Sequence, residues 1–142
     1  MTESTCLNKQ EAVKALFSHC QSNEERYQRI IELGREVPRL SPEKRIPSNL
    51  VSGCQSQLFL HAWTKDGRVF FEAESDALIA QGLAALLVKV YSGEKAEVIL
   101  TCPPKYLEEI GIVGSLSPNR ANGLYSLHLR MKQRALEFLS RG

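Results

Sequence analysis

One thiol is placed where it can work. Gly53-Cys54-Gln55-Ser56-Gln57 sets a cysteine in a tight turn between a short apolar stretch, Leu50-Val51, and a strand-like run from Leu58 to Trp63. A cysteine that only fills a core sits inside a periodic apolar segment. Cys54 sits between a glycine and amide side chains, where the backbone can present or withdraw the sulfur. The chemistry available there is thiolate nucleophilic attack, which depends on local environment and access.

The other cysteines, Cys6, Cys20 and Cys102, show no paired spacing with it. There is no C-x-x-C and no compact Cys/His group, which argues against a structural zinc site or a disulfide framework. Cys20 falls on a helical apolar stripe and reads as core, and Cys6 lies in an end expected to be mobile. His61 faces Glu72 across a hairpin, and this explains it without catalysis. His128 flanks a helix with no second ligand three or four positions away. Arg120 lies in the first turn of the last helix, where the dipole disfavours a cation by up to about 1 kcal/mol. It is either a surface residue offset by a carboxylate, or it faces an anion or thiolate.

The elements that position these residues run α, then β, then α. Gln10 to Cys20 carries Ala12, Val13, Leu16, Phe17 and Cys20 at helical spacing. Ser22 and Glu25 form a capping box for a second helix, with Tyr27, Ile30 and Ile31 on one face and a stop at Gly34. Pro38, Pro42 and Pro47 hold an irregular connector. Asp66-Gly67 is a two-residue hairpin turn. Counting outward pairs Lys65 with Arg68, Trp63 with Phe70, His61 with Glu72 and Phe59 with Glu74. Leu58, Leu60, Ala62, Val69, Phe71 and Ala73 share the other, apolar face, which must meet helices.

Ser75 or Asp76 caps a helix through Ala77 to Tyr91, closed by Gly93, with Leu78, Ile79, Leu83, Leu86, Leu87 and Val90 making it largely buried. Ala96 to Leu100 fits strand or helix, and Lys105 to Ile110 a short helix. The last helix begins at Ser117 with Pro118 in its first position, and Leu124, Leu127, Met131, Ala135 and Phe138 face the core. The fold class is α+β: a small antiparallel sheet with helices packed on one face. At 142 residues the simplest organisation is one domain, 1–142.

Composition narrows the function. Hydrophobic content is 43%, charged content 24% and net charge +2, with dispersed cations. Phosphate binding needs clustered cations, so nucleic acid is not expected as a partner. No run of roughly 18 apolar residues suggests a membrane span. The polar start, Met1 to Gln10, shows no secretory signal, and a cytoplasmic location is expected.

The ordered set of segments resembles the SufE/CsdE family of sulfur-acceptor proteins. It comprises Arg26-Tyr27 with Ile30-Ile31-Glu32-Leu33-Gly34, then Gly53 to Gln57, Glu74-Ser75-Asp76-Ala77 and Gly82-Leu83. Leu116-Ser117-Pro118-Asn119-Arg120 and Asn122-Gly123-Leu124 complete it. The likeness covers the chain from about residue 24 and is nearer the SufE branch. Phe59 stands where members often carry tryptophan, and Met1 to Asn23 matches loosely.

The resemblance implies a SufE/IscU-like fold and a carrier rather than an independent enzyme. Cys54 would take persulfide sulfur from a SufS/CsdA-like cysteine desulfurase and pass it to a SufBCD-like iron–sulfur scaffold. Gly53, Gln55 and Ser56 would hold the turn, and Arg120 corresponds to the family's arginine in this Pro-x-Arg setting. No resident cofactor or metal is implied.

Two alternatives remain. An IscU-type iron–sulfur or zinc scaffold needs about three or four convergent ligands. A cysteine hydrolase using His61 or His128 needs a base within reach and an oxyanion hole, and the spacing supplies neither.

Overall fold

The computed structural model describes residues 2–37, 39–53 and 57–141. The order is α1 (Thr2–Leu16), α2 (Asn23–Glu36), two 3-10 turns (Pro42–Lys44 and Pro47–Asn49), β1 (Leu58–Lys65) and β2 (Arg68–Ser75). Then follow α3 (Leu78–Tyr91), α4 (Ala96–Thr101), α5 (Tyr106–Glu109), α6 (Ile112–Ser115) and α7 (Pro118–Ser140).

The hairpin has the register counted from its turn: Lys65 opposite Arg68, Trp63 opposite Phe70, His61 opposite Glu72, Phe59 opposite Glu74. Asp66 and Gly67 have φ of 55° and 78°, the left-handed pair whose twist suits a tight hairpin. Leu58, Leu60, Ala62, Val69, Phe71 and Ala73 are all buried. A lone hairpin is marginal in water, so this apolar face must be covered. α3 packs on β2, and α7 packs on β1. Leu86, Leu87 and Val90 of α3 are fully buried, each contributing about 1.5–3 kcal/mol by the usual area scale.

Several sequence readings change. α2 does not stop at Gly34 but runs on to Glu36, because Gly34 serves a helix crossing and not a cap. A Cβ on Gly34 would lie 2.8 Å from the Gly82 nitrogen, and one on Gly82 would lie 2.1 Å from the Ile30 carbonyl oxygen. Two glycines let α2 and α3 touch backbone to backbone. The Ser22 cap is present, its hydroxyl accepting from the Glu25 amide.

α1 begins earlier than the Gln10–Cys20 periodicity suggests and ends at Leu16. Its buried stripe is Cys6, Gln10 and Val13, continued by Phe17 in the turn that follows, leaving Ala12 and Leu16 exposed and Cys20 only partly buried. Cys6 is fully buried and not in a loose end. Gln10 Nε2 ties α1 down, donating to the Pro103 carbonyl at 3.0 Å and to Cys102 Sγ at 3.3 Å.

In α3 neither Ser75 nor Asp76 occupies the cap position. Ala77 does, while Ser75 Oγ accepts the Ala77 amide at 3.2 Å. Leu78 is exposed, because the first turn of α3 faces the surface groove that it lines. Ala96–Thr101 resolves as helix because Val98 and Ile99 bury and α4 packs along α7, tertiary packing outweighing the β-branched residues. In α7, Leu124, Leu127, Met131 and Ala135 are buried and Phe138 partly so.

The connector before the cysteine turn is fastened to the hairpin. Glu74 on β2 accepts the Leu40 amide at 3.0 Å and pairs with Arg45 at 2.9 Å. Pro38 lies outside the described residues.

Candidate functional site

Cys54, Gln55 and Ser56 lie outside the described residues, so the site is defined by what surrounds them. Two contacts close the base of their turn. The Val51 amide donates to the Leu58 carbonyl at 2.8 Å, and Leu50 forms an antiparallel bridge with Phe59. Val51 and Leu58, on either side of the segment that carries Cys54, are thereby held together. Gly53 has φ of 85°, a conformation that side chains other than glycine adopt at a cost. It also sits against α7, where a Cβ would fall 2.6 Å from Ser126 Oγ.

Leu58, the first residue of β1, lines a groove of about 400 Å³ shared with Leu83 of α3 and Leu124, Leu127, Asn119 and Arg120 of α7. Its wall is mostly aliphatic, with Arg120 as its cation. Arg120 is exposed, and no side-chain hydrogen bond or ion pair of its guanidinium is present among the described residues. The carboxylate that would make it an ordinary surface arginine is thus not found there. Its backbone amide donates to the capping hydroxyl of Ser117 at 3.4 Å, so the residue does occupy the first helical turn.

The segment leading into α7 is held by α2. Arg26 Nε donates to the Ile110 carbonyl at 3.1 Å, and the Tyr27 hydroxyl donates to the Ser115 carbonyl. These two residues tie α2 to the α5–α6 segment that leads into α7. Sequence reasoning placed Tyr27 on the apolar face of α2 and missed these bonds, because their partners are carbonyls more than eighty residues away.

The two histidines considered as bases are otherwise engaged. His61 stacks on Trp63 along the outer face of the hairpin, and burial, helped by Lys44, lowers its pKa. His128 packs against Tyr91, with Nε2 buried and unpaired among the described residues. Burial pushes its pKa down to about 4, so the ring is neutral at pH 7. Cys6 is the contrasting thiol: burial and a hydrogen bond with Cys102 push its pKa up to about 12. Such a sulfur is a poor nucleophile.

The described surroundings of the segment are thus a backbone tie between Val51 and Leu58, an apolar groove beginning at Leu58, and Arg120 on the groove's wall. Residues 11–135 match the family model described as SufE, Fe-S metabolism associated domain. A SufE-like protein of Rhizobium etli is 40% identical over 117 residues, spanning 79% of each chain. One of Synechocystis is 34% identical over 113 residues, 80% of this chain and 71% of that protein. SufE-like protein 1, chloroplastic/mitochondrial, of Arabidopsis thaliana is 37% identical over 94% of this chain, which matches only 36% of that longer protein. A Thermus thermophilus protein of solved solution structure superposes with a TM-score of 0.76 at 27% identity, covering 93% of this chain and 96% of that one.

The chain belongs to the SufE family and so to the proteins associated with iron–sulfur metabolism. No helix among the described residues is long and apolar enough to cross a membrane.

Proposed function

We propose that this protein is a sulfur acceptor that takes persulfide sulfur from a cysteine desulfurase onto Cys54 and delivers it to iron–sulfur cluster assembly. The Cys54 thiolate attacks the outer sulfur of the desulfurase persulfide. A new S–S bond forms at Cys54, the original S–S bond breaks, and the desulfurase cysteine leaves as a thiolate. A second thiolate, on a cluster scaffold, takes the sulfur onward by the same exchange and regenerates Cys54. The chain works as a carrier with a covalent intermediate and acts in a reducing compartment such as the cytoplasm.

The observation that carries this reading is the fastened turn beside an aliphatic groove, in a chain of this family. Low polarity in such a groove disfavours a thiolate and would protect a bound persulfide from soluble reductants. Gly53, Gln55 and Ser56 hold the turn. Arg120 supplies positive charge for a developing thiolate or an anionic partner group.

The test mixes the protein with a cysteine desulfurase, pyridoxal phosphate and cysteine, and maps added sulfur by mass spectrometry of unreduced peptides. A mass increase of one sulfur on the Cys54 peptide supports the reading. Its absence, while the desulfurase itself carries persulfide, refutes it.

A further inference from the structure

We infer that Cys6 of α1 and Cys102 at the end of α4 form a redox modification site, a buried dithiol that hydrogen peroxide closes to a disulfide, fastening α1 to the body of the fold. The inference stands apart from the sulfur-acceptor reading, and its test involves no sulfur transfer.

One amide reaches both sulfurs. Gln10 Nε2 donates to Cys102 Sγ at 3.3 Å and to Cys6 Sγ at 3.8 Å, and a hydrogen bond joins the two thiols to each other. Cys6 and Gln10 are four residues apart and so stand on one face of α1, a turn from each other. Cys102 is held from its other sides. Its amide donates to the Val98 carbonyl at 2.9 Å, and its carbonyl accepts the Tyr91 hydroxyl at 2.6 Å. The next carbonyl, that of Pro103, accepts from the same Gln10 Nε2 at 3.0 Å. The fold therefore keeps the two sulfurs together from α1 on one side and from α3 and α4 on the other.

Two buried thiols side by side could be packing, metal ligands or a redox pair. Packing alone leaves the amide unexplained, since apolar residues at 6 and 102 would fill the space without needing a buried donor. For a metal site, no group of three Cys, His, Asp or Glu residues converges among the described residues, and Glu94, whose charge reaches Cys6, is paired with Lys9. Cys6 also lies ahead of residues 11–135, so the pair extends beyond the stretch that matches the family model.

The oxidation proceeds in two steps. The Cys102 sulfur attacks one oxygen of hydrogen peroxide, the O–O bond breaks, and water leaves with the thiol proton. Cys6 then attacks the sulfenic sulfur of Cys102: the S–S bond forms, the S–O bond breaks, and the hydroxyl departs as water with the Cys6 proton. Two thiols lose two electrons and one peroxide becomes two waters. Burial keeps Cys6 protonated at neutral pH, which suits it to the second step. Cys6 is 0% and Cys102 5% exposed, so the oxidant must be small and uncharged, entering as α1 frays and not through global unfolding. The disulfide closes a long loop, from α1 to the end of α4, and long loops are those whose closure most restricts the unfolded chain.

The experiment treats the reduced, folded protein with hydrogen peroxide, blocks the remaining thiols in denaturant, and maps linked peptides by mass spectrometry. A Cys6–Cys102 peptide, lighter by two hydrogens, is expected as the main product at these two positions. The melting temperature should rise by roughly 5–10 °C, and dithiothreitol should reverse both changes. Cys6→Ala should abolish the rise and leave Cys102 as a sulfenic acid that dimedone traps. Where that variant does not fold, the peptide map of the parent protein decides alone. Cys6 and Cys102 both remaining free thiols after Cys20 and Cys54 are fully oxidised would overturn the inference. So would a link that forms only in urea, or a melting temperature that rises equally in Cys6→Ala.

Discussion

Gly34 and Gly82 meet at the crossing of α2 and α3, with a Cβ on the first falling 2.8 Å from the backbone nitrogen of the second. This approach brings Ile31 of α2 and Leu83 and Ala84 of α3 together as one side of the groove. Gly82→Ala would press a methyl onto the Ile30 carbonyl, so the helices must part. A loss of about 1–3 kcal/mol or more is expected from such overpacking. Urea unfolding should show the midpoint fall, and an unchanged midpoint would mean the crossing is looser than described.

Lys9 and Glu94 join α1 to the loop after α3. Their charged atoms are 2.6 Å apart, and Lys9 also donates to the Ser92 carbonyl at 2.9 Å. Glu94 is 1% exposed while Lys9 is 31% exposed, so solvent screens one partner only. Lys9→Met leaves a buried carboxylate without its cation. A cost of about 1–3 kcal/mol is expected, below the range for fully buried pairs. The melting temperature should fall, and Cys6, fully buried on the same helix, should gain alkylation reactivity as α1 undocks. Continued protection of Cys6 at an unchanged melting temperature would contradict the anchoring role.

The hairpin, its register, the capping box and the helix after Pro118 were legible because each rests on local chemistry: turn residues, alternation and caps. The glycine crossing was not. Gly34 follows a helical stripe and reads as a stop, and nothing nearby in sequence announces Gly82 as its neighbour. Cys6 was misplaced for a similar reason, since its cover comes from Gln10 and Cys102 together. Cys54 was singled out from its turn context, and Arg120 from its conflict with the helix dipole. Ser126 carried no signal, being an ordinary serine beside a core position until the fold sets Gly53 against it.

His128 gives the protein an acid-sensitive contact. Its folded pKa of about 4 lies below the ordinary 6.5, so between these values the unfolded chain binds a proton that the folded one refuses. Stability from this group is therefore present above pH 6.5 and is lost as pH falls toward 4. Titratable groups facing it include Lys132, whose charge also opposes protonation, and Tyr91, against which the ring packs. His128→Gln should flatten the decline of unfolding free energy across this window. Parallel pH profiles for parent and variant would contradict the assignment.

Arg120→Ala should separate function from folding. The side chain is exposed and has no described ion pair, so the melting temperature should change little, within about 0.5 kcal/mol of stability. Desulfurase stimulation should fall by about tenfold, the effect of roughly 1.4 kcal/mol at the transfer step. Arg120→Lys should restore part of the activity if charge alone matters. Normal transfer by the alanine variant would return Arg120 to a structural role.

The central claim is that Cys54 alone receives the sulfur, and single Cys→Ser variants of all four cysteines test it directly. Each is incubated with desulfurase, pyridoxal phosphate and cysteine, and persulfide is quantified by mass spectrometry. The account predicts that Cys6→Ser, Cys20→Ser and Cys102→Ser, where folded, load sulfur as the parent does. Cys54→Ser should load none and should not stimulate the desulfurase. Normal loading and stimulation by Cys54→Ser would contradict the account.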